Sequence, residues 1–203
     1  MARSERFLLL VLAAVGWTPV YAASILYTDI GPGYAGDSTI GYGSPGSFFG
    51  TTFTTTAGGS LSEVIVGVGS DTTTMAPAAL YTNSGGEPGT LLESWNVTLP
   101  FSTGNTVTLI SLLQPVLSAN TQYWFVFGPG AEADGVQLTG NDTGILGGPW
   151  AGDTLTGLSA ESGPGYLTPG IEVIGAASVP EPGTGALIAL TSVALAALRR
   201  FLA

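Results

Sequence analysis

The chain has 203 residues, with fourteen acidic side chains against four basic ones, no histidine and no cysteine, for a net charge of −10. That balance excludes nucleic-acid binding, which needs a basic footprint, and it excludes disulfide stabilisation. It also removes His/Cys zinc sites and the Ser-His-Asp, Cys-His and Ser-Lys nucleophile systems, because no lysine is present and the four arginines all lie near the ends.

Taken in order, Met1–Ala22 reads as a secretory signal peptide. Arg3 and Arg6 form the positive n-region, Phe7–Val15 the apolar core, and Val20-Tyr-Ala22 places small residues at −3 and −1, so cleavage is expected between Ala22 and Ala23. The apolar run is too short to span a membrane as an anchor. Residues 23–178 then form one exported domain, long enough for its own core. It carries twelve acids, from Asp29 to Glu172, and no basic residue. Its charge keeps it soluble, repels nucleic acid and anionic lipid, and forbids internal salt bridges.

Nothing in this domain has helical periodicity. Gly, Thr and Ser recur densely, and the apolar stretches are short, β-branched or aromatic. Strands are expected at Ser24–Thr28, Phe48–Thr56, Leu61–Gly69, Ala78–Thr82, Leu91–Leu99, Thr106–Leu112 and Gln122–Phe127. Leu61–Val68 alternates only in part, as a strand covered on both faces does. A type II turn is expected at Glu87-Pro88-Gly89-Thr90, and Asn120 is suited to a left-handed position ahead of the aromatic strand. From Pro129 to Gly170 the chain is glycine-rich, with edge strands expected at Gly135–Thr139 and Gly170–Ile174. Short strands at near-regular spacing predict an all-β fold, a jelly-roll-like β-sandwich.

The last twenty-five residues combine three pieces. Val179-Pro180-Glu181-Pro182 is a stiff extended strip, since two prolines fix φ and remove donors. Residues 183–198 carry no charge and suit a single short transmembrane helix of about 24 Å. Arg199 and Arg200 then stop transfer on the cytoplasmic side. An ordinary single-span anchor with a proline-rich spacer is the plain alternative. In order, spacing and position this segment resembles the PEP-CTERM sorting signal of bacterial exported proteins. The resemblance implies an exosortase-type membrane peptidase as partner, cutting near the motif, and a route from membrane-anchored intermediate to cell surface or medium. Residues 79–93 and 117–127, a strand, a Gly-Gly-Glu-Pro-Gly turn and an aromatic strand, resemble the type R choice-of-anchor domains. That resemblance implies architecture and address rather than chemistry.

Without His, Cys or Lys, only carboxylate-pair chemistry such as glycoside hydrolysis is left, with Glu132 and Asp134 or Glu87 and Glu93 as pairs. Solvated loop acids are the plainer reading, and no catalytic residue is expected. No resident cofactor is expected either. The one ion the residues suit is Ca2+, through Glu132, Asp134 and Asp142 on neighbouring loops, although no Asp-x-Asp-x-Asp-Gly loop is present. Trp150 and Trp95, with Tyr34, Tyr42 and Tyr166, suit sugar faces; Trp150 serves equally well as a loop anchor, and Trp124 reads as core. Asn96-Val-Thr98 and Asn141-Asp-Thr143 match the N-glycosylation pattern. The expectation is therefore a non-enzymatic surface or extracellular-matrix protein associated with exopolysaccharide. A carbohydrate-binding module is the first alternative and a carboxylate-pair glycoside hydrolase the second.

Overall fold

A computed structural model describes residues 23–31, 39–42, 46–70, 74–101, 104–128, 136–147, 150–160 and 167–176. Residues 23–177 make one compact unit. The first sheet contains β1 (Ser24–Thr28), β2 (Thr39–Tyr42), β4 (Gly59–Ser70), β7 (Thr106–Ile110), β8 (Val116–Leu117), β10 (Val136–Thr139) and β13 (Ile171–Ala176). The second contains β3 (Phe48–Thr54), β5 (Thr74–Ser84), β6 (Glu87–Leu99), β9 (Gln122–Phe127), β11 (Trp150–Gly152) and β12 (Ser159–Ala160). All strand pairings between these elements are antiparallel, and no described residue is helical, so the fold is all-β with two antiparallel sheets around one core.

Two strands explain how that core fills. The twelve-residue β4 takes β13 along one side and β7 and β8 along the other, and it buries Leu61, Val64, Val66 and Val68. β9 lies between β3 and β5. Its Tyr123, Phe125 and Phe127 enter the core, where Phe53 stacks on Tyr123 at 5.9 Å and Phe125 meets Phe127 edge-on at 5.3 Å. Each fully buried aromatic contributes on the order of 2–3 kcal/mol, which matters in a domain with no disulfide.

The expected strand β1 and the expected strand β9 appear with their predicted ends. β3 stops at Thr54, and β7 stops at Ile110 because Ser111–Pro115 leaves the sheet as a turn. β4 alternates more than expected: Glu63 and Ile65 are half-buried, and only its far end, from Val66, is buried at every position. The expected turn at 87–90 is not there. Ser84 pairs with Glu87, and the reversal is Gly85-Gly86, with φ of 66° and 95°. Two successive positive φ values give a primed hairpin turn, whose twist suits the flanking strands better than a type II turn. Pro88 sits instead in β6, an edge strand, where its missing N–H is tolerated. Gly89 is fixed by crowding: a Cβ there would fall 2.8 Å from Thr82 Oγ1. Asn120 does adopt the left-handed conformation, with φ 51°.

Candidate functional site

β11 covers only part of β3, pairing with Phe48, Phe49 and Gly50. Among the described residues no strand pairs with this edge of β3 beyond Gly50. Thr55 N–H donates to the Thr121 carbonyl, which fixes the alternation between β3 and β9. Thr52 and Thr54 therefore turn their main-chain N–H and C=O groups away from β9, outward. A cleft of about 300 Å³ lies along this edge, lined by Thr52, Thr54, Gln122, Trp150, Tyr27 and Thr168, with the 145–147 segment opposite. Its size is at the small end of ligand clefts.

Trp150 is held in place from beneath. It pairs with Gly50, where a Cβ would fall 2.9 Å from Val126 Cα, and its ring meets Trp124 at 5.3 Å and 74°. Trp124 is buried on the face opposite the core, and its Nε1 donates to Asn83 Oδ1 at 3.0 Å. Both readings of Trp150 thus have support: the indole packs on Trp124 and it also lines the cleft. The cleft-lining residues are all neutral, so an uncharged ligand suits it best.

Behind Tyr27 and Thr168 lies Asp29, fully buried. Its carboxylate accepts from Ile171 N–H at 2.5 Å, Thr168 Oγ1 at 3.0 Å and Tyr27 OH at 3.1 Å. Burial pushes its pKa up to about 6, against the opposing pull of those three donors. Tyr27 is raised too, first by burial and then by the Asp29 charge. Asn141 ties the other wall. Its amide nitrogen donates to Ile145 O, Thr168 O and Thr168 Oγ1, and its oxygen accepts from Thr143 and Ile145 N–H. Asn141 is 3 % exposed with both amide atoms engaged, so its glycosylation pattern is a structural knot in the folded domain.

Trp95 does not join Trp150. It lies on the core side of β6, tilted on Phe125 at 6.3 Å, and its Nε1 donates to the Ile110 carbonyl at 2.8 Å, linking the two sheets. Glu93, two residues earlier, is buried. It accepts from Ser111 Oγ at 2.5 Å, Leu112 N–H at 2.6 Å and Leu113 N–H at 3.1 Å. Glu87 is exposed at the hairpin tip, about 20 Å along the strand from Glu93, so these two carboxylates do not form a pair. Asp142 is exposed and accepts from Gly31 N–H at 2.5 Å. Glu132 and Asp134 lie outside the described residues, and among the described residues no three acids gather in a metal-binding group.

The sorting motif Val179, Pro180, Glu181 and Pro182, the stop-transfer Arg199 and Arg200, and Ala22 also lie outside the described residues, as do Tyr34 and Tyr166. Ala23 opens the described domain, exposed, and Tyr42 ends β2. Among the described residues no helix is long and apolar enough to cross a membrane; the expected span, 183–198, is not among them. Sequence reasoning found Trp150 but missed Asp29 and the structural roles of Asn141 and Glu93. A lone acid closing an apolar strand (Tyr27-Thr-Asp29) is the signal that points to Asp29. No protein-family model matches the chain, and no curated protein matches it.

Proposed function

We propose that this is a non-enzymatic protein of the bacterial surface or extracellular matrix. It is exported by residues 1–22, held in the cytoplasmic membrane by its tail, and processed at Val179–Pro182 by an exosortase-type peptidase. Its β domain, jelly-roll-like and similar to choice-of-anchor domains, associates with exopolysaccharide. One observation supports the binding half of this reading: the cleft beside β3 combines an indole with threonine hydroxyls, an amide and the outward-facing main chain of Thr52 and Thr54. A pyranose presents C–H groups on its face and hydroxyls around its rim, so it needs both an aromatic wall and neutral hydrogen-bonding groups.

The same cleft favours a second reading, a carbohydrate-binding module that recognises glycan from another source. Co-sedimentation of the secreted protein with the producer's own exopolysaccharide tests both. Trp150→Ala is expected to weaken binding by about tenfold or more, as removal of an aromatic anchor does, while the exposed Asn96→Ala leaves it unchanged. Undiminished binding by Trp150→Ala rejects the cleft. Binding to unrelated glycans but not to the native polymer favours the second reading.

A further inference from the structure

The corner of the domain from which the chain leaves for its tail is apolar and rigid. Ser60 of β4 pairs with Ala176 on one side and Val116 on the other, so the last strand exits in the same row as β8. Further along the same sheet Ile25, Ile174, Glu63 and Ile110 follow one another across four strands. Between these rows the Ser111–Pro115 turn swings out. Leu112 is 85 % exposed, Val116 75 % and Leu113 71 %, with Ile110 and Ile25 more than half exposed beside them.

This turn is firmly held. Ser111 N–H donates to Ser62 O and Leu61 N–H to Pro115 O, which anchors both ends on β4. Glu93 reaches from the other sheet to take the N–H groups of Leu112 and Leu113, and Gln114 is fixed in the left-handed region at φ 49°. Two leucines are thus displayed to solvent at the cost of a buried carboxylate and an unfavourable backbone conformation. From Ser94 to Ala131 the chain has no Asp, Glu, Lys, Arg or His, and Glu93, the acid that touches the turn, points inward. Glu63, its neighbour Glu172 on β13 and the hairpin-tip Glu87 are the other acids toward this end among the described residues.

We propose that this corner is a lipid-contact surface, with Leu112, Leu113 and Val116 entering the interfacial layer of a zwitterionic bilayer while the tail is attached. The inference rests on the reading of residues 183–198 as a membrane span. Six residues, 177–182, separate the last strand from that run and span at most about 25 Å, which keeps a bilayer surface within reach of the corner. Tethering makes a contact count that would be too weak in solution, because the second contact is intramolecular. The absence of basic residues in the domain disfavours anionic headgroups. The contact holds the domain down before processing and lets go once the tail is cut.

The cysteine-free chain allows a clean test. Full-length protein with the environment-sensitive fluorophore NBD on Leu113→Cys, Met75→Cys or Leu190→Cys is reconstituted into phosphatidylcholine vesicles containing lipids spin-labelled at shallow or deep positions. Met75 is exposed at the start of β5, away from the turn, and Leu190 stands at the middle of the expected span. The expected result is a blue shift and shallow quenching at 113, neither at 75, and deep quenching at 190. A second variant, Leu112→Asp with NBD on Val116→Cys, is expected to lose the shallow quenching without a change in melting temperature. Deep quenching at 190 with a solvent-like probe at 113 overturns the lipid contact and leaves the span intact. Shallow quenching at 113 without deep quenching at 190 supports the contact and removes the span. A blue shift at 113 that no lipid quencher touches, and that persists in detergent, overturns the proposal in favour of a second copy of the chain.

Discussion

Asp29 and Glu93 are both buried carboxylates in a domain that has no cation to pair with them, yet they hold different things. Asp29 gathers donors 139 and 142 residues away in sequence, from Thr168 and Ile171, and so fastens β1 to the closing strand behind the cleft. Glu93 takes the ends of one turn, 18 to 20 residues away, and fixes a surface feature. A buried charge without a counter-ion survives only where N–H and O–H groups converge on it. Where those donors come from remote strands, the acid stabilises the fold; where they come from one turn, it shapes a surface.

The sharpest way to break this contrast is to delete each acid in turn. Asp29→Ala leaves the buried Ile171 N–H without its acceptor and takes the partner from the half-buried Thr168 and Tyr27 hydroxyls, and is expected to cost about 3–4 kcal/mol by urea unfolding. Glu93→Ala is expected to cost about 2 kcal/mol, since Leu112 and Leu113 N–H groups can reach water, and to speed hydrogen exchange at residues 112–114. A larger loss for Glu93→Ala than for Asp29→Ala would reverse the assignment.

Titration sharpens it further. The folded pKa of Asp29, about 6, exceeds its ordinary value of 3.8, so the folded state binds the proton more tightly. Stability linked to Asp29 is therefore complete below about pH 4 and is lost as pH rises through 6. The gain from pH 7 to pH 4 is up to about 3 kcal/mol, and it should disappear in Asp29→Asn, which keeps an acceptor for Ile171 N–H. Glu172, raised by partial burial and then by Glu63, adds a change of the same sign. An Asp29→Asn variant with the wild-type pH profile would show that other acids carry the effect. The smallest expected change is at Gln114. Glycine there relieves the left-handed strain at some entropic cost, raising stability by about 0.5 kcal/mol and leaving the pH profile alone.

The contrast also explains what was legible in the sequence. Strands whose own pattern fills a core, such as Gln122–Phe127, stand out because consecutive aromatics supply both faces. β2, β8, β11 and β12 are two to four residues long and exist because neighbouring strands offer them an edge, so no local pattern marks them. Pro88-Gly89 is the stronger turn signal taken alone, yet the chain reverses at Gly85-Gly86, because the choice depends on the twist of both strands. Trp150 was readable as an aromatic in a glycine-rich loop. Its cleft was not, since it depends on β11 pairing with only part of β3. Trp95 looks equivalent in sequence and is engaged between the sheets.

Intact mass with terminal peptide sequencing of protein recovered from cells and medium tests the proposed export and tail cleavage most directly. The expected surface and secreted species begins at Ala23 and lacks residues 187–203. A dominant surface species that retains Arg199 and Arg200 would contradict it.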